Sequence, residues 1–127
     1  MLVRVPFTFE HAKAALNMVI AKSPPNMPRD QQFKDSAIWQ AVLTLSRDYT
    51  VRLLSNDRGF LVDRSDPTKG LAANLLEDSR RAGATITVHC DLPSCLKAIT
   101  CDVSSFDQAR LVSLITDALM PRLRAEA

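Results

Sequence analysis

Residues 51–60 read Val51-Arg52-Leu53-Leu54-Ser55-Asn56-Asp57-Arg58-Gly59-Phe60. The first four suit a short buried strand, and the chain then turns polar at once. A second run rich in β-branched residues comes at Ala84-Thr85-Ile86-Thr87-Val88-His89. Between the two lies a helical stretch, Leu71 to Arg81, with Gly83 as its C-terminal stop. Strand, helix, strand, helix in that order predicts an α/β layer fold with a parallel sheet and right-handed crossovers.

Outward from this unit the chain reads as helices. Residues 8–22 place Ala12, Ala15, Leu16, Val19 and Ile20 at the helical period. Thr8 suits the N-cap and Glu10 the first turn. Ser23-Pro24-Pro25 ends that helix, because the residue before a proline avoids the helical region. A second helix is expected from Gln31 to Arg47, with Ile38, Trp39, Val42, Leu43 and Leu45 as its apolar stripe. Arg58 to Pro67 is a polar connection. Asp91-Leu92-Pro93 opens a helix to Ile99. A last helix, from Ser105 to Arg124, carries Phe106, Ala109, Leu111, Val112, Leu114, Ile115 and Leu119. It packs either on its own domain or on a partner.

The bulk numbers narrow the class. The 127 residues fit one domain and can bury a core without staples. A net charge of +2 is too small to argue for nucleic acid by itself. No apolar run approaches the ~20 residues of a membrane span. The N-terminus lacks the apolar stretch of a secretory signal. The 3 cysteines, Cys90, Cys95 and Cys101, read as reduced thiols of a cytoplasmic protein. They lack the C-x-x-C pair common in structural zinc sites, and His89 and Cys90 alternate across a strand. With 3 glycines there is no phosphate-binding loop, and His11 and His89 fit no Ser-His-Asp pattern.

The acids are more informative. Sites in parallel α/β sheets form beyond the carboxyl ends of strands, where Asp57 stands. Asp35 sits near the start of the preceding helix. The sequence permits the two carboxylates to share a rim but does not force it. If they meet, they repel unless a cation lies between them. A hard divalent ion such as Mg²⁺ or Mn²⁺ prefers such oxygen ligands, and it can polarise a phosphodiester and activate water. The plainer alternatives are an early-turn acid for Asp35 and a turn residue for Asp57. Asp30 reads as a helix cap and Asp63 as a solvated loop charge. Lys34, Arg52 and Arg58 read first as solvated charges, with contact to phosphate near the acids as the alternative.

Two stretches together resemble a known family. Gln32-Phe33-Lys34-Asp35-Ser36-Ala37-Ile38-Trp39, then a helix, then Val51 to Phe60, resembles the second half of a PIN-like domain. The motif positions are Asp35 with Ile38, and Ser55-Asn56-Asp57 with Phe60. Val5-Pro6-Phe7-Thr8-Phe9-Glu10 and the proline-rich loop resemble the bacterial branch of that family, so the likeness spans residues 4–100. It implies a three-layer-like parallel sheet flanked by helices, with a PIN-like domain over 1–102 and a C-terminal helix over 103–127. It also implies divalent-metal-dependent ribonuclease activity, with Asp35 and Asp57 as catalytic Mg²⁺ or Mn²⁺ ligands. Ser55, Asn56, Lys34 and Arg58 would meet RNA or support the site. The family's first strand, which bears an Asp, has no counterpart here. The resemblance therefore implies an incomplete domain, either a fragment or a chain that completes its site with another copy, a partner chain or an upstream segment. A catalytically inactive PIN-like interaction or oligomerisation module stands as the alternative.

Overall fold

The computed structural model describes residues 2–102 and 112–119. The chain divides into two units, Val5–Cys95 and residues 1–4 with 96–127. In the larger unit, α1 (Phe9–Ile20) and α2 (Phe33–Leu45) precede β1 (Val51–Leu54). Two 3-10 turns, Arg58–Phe60 and Pro67–Lys69, lead to α3 (Ala73–Arg81) and β2 (Ile86–His89). Helix α4 (Leu92–Asp102) starts in the larger unit and runs into the smaller. Residues 112–119 are helical, with Val112, Leu114 and Leu119 exposed. Phe106, Ala109 and Leu111 lie outside the described residues.

The mixed α/β class and the parallel pair are present. Val51 stands opposite Ile86, and Leu54 opposite His89. The described sheet has these 2 strands, and a larger three-layer sheet is not formed by the described residues. β2 alternates as a one-sided strand should, with Ile86 and Val88 buried and Thr87 exposed. β1 is only half-buried and its Leu54 is exposed, a correction to the buried strand expected there. No helix among the described residues is long and apolar enough to cross a membrane.

The core joins α2, α3 and the sheet through Trp39, Val42, Phe60, Leu61, Leu71, Ala72, Leu75, Ile86 and Val88. Trp39, Phe60 and Leu75 lose nearly all contact with water. Such burial contributes about 1.5–3 kcal/mol for an apolar side chain. The Trp39 indole N–H donates to Asp78 Oδ2 at 3.0 Å, so its one polar atom is satisfied and α2 is tied to α3. Leu71 and Ala72, read as the first residues of α3, instead enter the core ahead of it; Leu71 bridges Leu61.

Helix α2 departs most from its expected stripe. Trp39 and Val42 face the core, whereas Ile38 is 39% exposed. Adjacent helical residues are about 100° apart, so Ile38 cannot share the face of Trp39. Ile38 instead lines a shallow groove of about 420 Å³ with Phe7, Phe33, Ala37 and Ala41. Leu16 and Ile20 of α1 are likewise exposed, leaving Ala15 and Val19 as that helix's buried pair. Thr8 caps α1 as expected, accepting from His11 N–H at 3.2 Å.

The connection between α1 and α2 sets where α2 starts. Lys22 takes a left-handed backbone, φ 53°. Asn26 is buried; its amide donates to Ser23 O at 3.0 Å and to Ser36 Oγ at 2.9 Å. The same side chain accepts from Gln32 N–H at 2.6 Å. Asp30 is therefore not the cap of α2. Its carboxylate binds the Gln32 side chain at 2.8 Å, while Asn26 takes the backbone N–H at the helix start. Asn74 at the start of α3 donates to Pro24 O at 2.9 Å.

Candidate functional site

The site is built where β1 ends and α2 begins. The parallel ladder continues one step past β1, with Ser55 N–H donating to His89 O at 2.9 Å. Ser55 Oγ then accepts from Asp57 N–H at 3.0 Å. Asp57 Oδ1 accepts from Gly59 N–H at 2.7 Å and caps the short turn Arg58–Phe60. These bonds fix the carboxylate at the sheet rim while Phe60 anchors the turn in the core.

Gly59 is there for space. A Cβ on it would lie 2.5 Å from Pro25 O, so only glycine lets this turn lie against the loop between α1 and α2. That loop is held to α2 by Asn26, whose partner Ser36 is the residue after Asp35. The two acids, distant in sequence, are thereby brought together.

Asp35 and Asp57 share a hydrogen bond through their side chains. Partial burial, the hydrogen bond to Asp57 and repulsion from its charge push the Asp35 carboxyl up to about 6, with Lys34 opposing and Asp30 adding repulsion. The hydrogen bond from Asp35 holds Asp57 below its ordinary range, helped by Gly59 N–H and the charge of Arg64 and opposed by burial. Below about pH 6 the pair therefore shares one proton. Once that proton leaves, two negative charges face each other.

The other predicted residues surround this pair unevenly. Ser55 supports Asp57 from below. Asn56 is exposed at the turn. Lys34 is exposed, with its charge felt at Asp35. Arg58 is exposed and donates to Arg64 O at 2.5 Å. Asp63 is not a free loop charge; Lys69 lies 2.6 Å away, and Lys69 and Ser65 hold its carboxyl down at about 2. Cys90, Cys95 and Cys101 are free thiols, with Cys95 buried. His89 Nδ1 lies 3.2 Å from Ser94 Oγ, a pairing not readable in the sequence.

Sequence reasoning misses Asn26, Ser36 and the spatial role of Gly59. Asn26 comes after two prolines and carries no pattern of its own. Gly59 looks like turn chemistry, yet it is the neighbour across the loop, Pro25, that requires a glycine there.

No group of three or more His, Cys, Asp or Glu among the described residues is placed to hold a metal. The pair alone still suits one hard divalent ion, because Mg²⁺ is commonly held by one or two carboxylates and keeps several waters. No family model, curated protein or solved structure matches the chain.

Proposed function

We propose that this chain is a PIN-like, divalent-metal-dependent ribonuclease domain. The observation supporting this reading is the meeting of Asp35 and Asp57 at the rim, where each carboxyl shifts the other. Asp35 and Asp57 would hold Mg²⁺ or Mn²⁺. Bound there, the ion would polarise a phosphodiester and lower the pKa of a water. Asp57 would be oriented for the task by Ser55 Oγ and Gly59 N–H, which fix its backbone and one of its oxygens. Lys34 and Arg58 would lie near the substrate's phosphates.

The test is cleavage of a mixed-sequence single-stranded RNA in Mn²⁺ or in EDTA. Metal-dependent cutting by the wild type, abolished in Asp57→Asn and Asp35→Asn, is the expected result. A folded wild type that cuts nothing would sink the enzyme reading.

A second reading has its own observation. Phe7 at 61%, Phe33 at 43% and Ile38 at 39% exposure form an apolar groove on the larger unit. Such a patch suits contact between copies, and an inactive PIN-like oligomerisation module would use it. Light scattering that gives a dimer for wild type and a monomer for Ile38→Lys, with no cutting by either, would favour that reading.

A further inference from the structure

We infer that the groove between Lys22, Arg64 and Lys69 binds the phosphate backbone of a single-stranded RNA and leads it to the acid pair. The inference rests on the proposed nuclease reading and adds a binding track to it. The groove encloses about 840 Å³ and runs from the loop after α1 to the connection after β1. Its charged lining is Lys22, Arg64 and Lys69 against a single acid, Asp63. Lys69 is engaged by Asp63, which stays ionised because its carboxyl is held at about 2. That leaves Lys22 and Arg64 as the cations able to meet an anion. Arg64 Nη1 rests against Met27 Sδ, a soft contact with no charge of its own.

Two observations connect this groove with the acids. Gly59 lines it, and the N–H of Gly59 is bonded to Asp57 Oδ1. The charge of Arg64 is felt at Asp57. A bound strand would therefore pass a phosphate from the cations to Gly59, whose N–H is bonded to Asp57 at the rim. Between the cations the wall is Pro24, Met27, Pro28, Leu61 and Val62, with no aromatic ring to stack a base. Readout is then of backbone charge, independent of base identity and sensitive to salt.

Fluorescence anisotropy tests this with a labelled mixed-sequence RNA of about 12 nucleotides, within the usual site size for single strands. Asp57→Asn protein in EDTA is used, so that nothing is cut. Lys22→Asn keeps a residue that tolerates the left-handed backbone, and Arg64→Gln keeps the polar stem. Each is expected to weaken binding about 3- to 10-fold and to lower the salt slope by about 0.7. Asp63→Asn, which frees Lys69, is expected to tighten binding. Lys13→Ala and Arg80→Ala, outside the groove, are the controls, and circular dichroism checks the fold of each variant. If the groove variants bind like the controls while the wild type cuts RNA, the groove inference falls and the nuclease reading survives. If the groove variants weaken binding but the wild type never cuts, the nuclease reading falls and the binding track survives. Equal binding to an oligo-aspartate peptide of matched charge would overturn the assignment to a phosphate chain.

Discussion

The rim that holds Asp57 and the loop that holds Asp63 use the same local device. In each, an aspartate oxygen accepts the N–H two residues on: Asp57 from Gly59 at 2.7 Å, Asp63 from Ser65 at 2.9 Å. Asp66 repeats it with Thr68 at 3.0 Å. The turns are ordinary Asx chemistry and nothing in them is specific to a site. What differs is the neighbour that tertiary structure supplies. Asp63 receives a lysine and drops to about 2; Asp57 is lowered chiefly by its bond to Asp35, and Asp35 in turn rises to about 6 through burial, that bond and the Asp57 charge. A turn motif therefore says where an acid will sit, and the packing partner decides what it can do.

The comparison breaks most visibly at Gly59. Gly59→Ala puts a Cβ 2.5 Å from Pro25 O, and backbone must move. Overpacking of this kind costs about 1–3 kcal/mol, measurable as a lower urea midpoint. Asp35 should then titrate at an ordinary carboxylate value in carbon-detected NMR. A destabilised variant whose Asp35 still titrates near 6 would show that the close approach does not set the pair.

The pair itself comes next. A carboxyl raised in the folded state contributes stability that is full below the unfolded pKa and lost as pH rises through about 6. Asp57, lowered in the folded state, acts in the opposite sense, losing its contribution as pH falls into the acid range. Asp35→Asn should therefore be more stable than wild type at pH 7, by about 1 kcal/mol after solvent screening. It should also flatten the stability profile between about pH 4 and 6. An unchanged profile would mean the two acids do not share a proton in solution.

The smallest effect belongs to the loop. Asp63→Asn removes an exposed ion pair, and such pairs rarely register in equilibrium unfolding. Its thermal midpoint should match that of the wild type. A clear drop would place the loop among the elements that hold the fold.

Much of this is legible in the sequence because the signals are local. Val51–Leu54 appears as the strand its β-branched and apolar residues predict, and Thr8 caps the first helix. Gly83, at φ 63°, closes α3 as a left-handed stop. Asp35 and Asp57 stand out as acids able to share a rim, and their side chains do share a hydrogen bond. What escapes the sequence is nonlocal. Periodicity puts Ile38 in the core because α2 carries apolar residues on two faces, and composition cannot say which face meets the sheet. Asp30 reads as the cap, yet α2 starts with no side-chain cap, and Asn26 from farther up the loop takes the Gln32 N–H. A buried amide serving one loop and one helix leaves no periodic trace.

The bond from Ser55 N–H to His89 O has a consequence for engineering the chain. It makes the second strand a ruler for the first acid's turn. The exposed turn over Arg47 to Thr50 can absorb extra residues, since loop tips tolerate insertion. A single residue added between Gly83 and Ile86 has no such freedom. It would slide Ile86 and Val88 out of the core and carry the partner of Ser55 along with them. Tags and labels belong in the first segment, and the spacing of the second is part of the site.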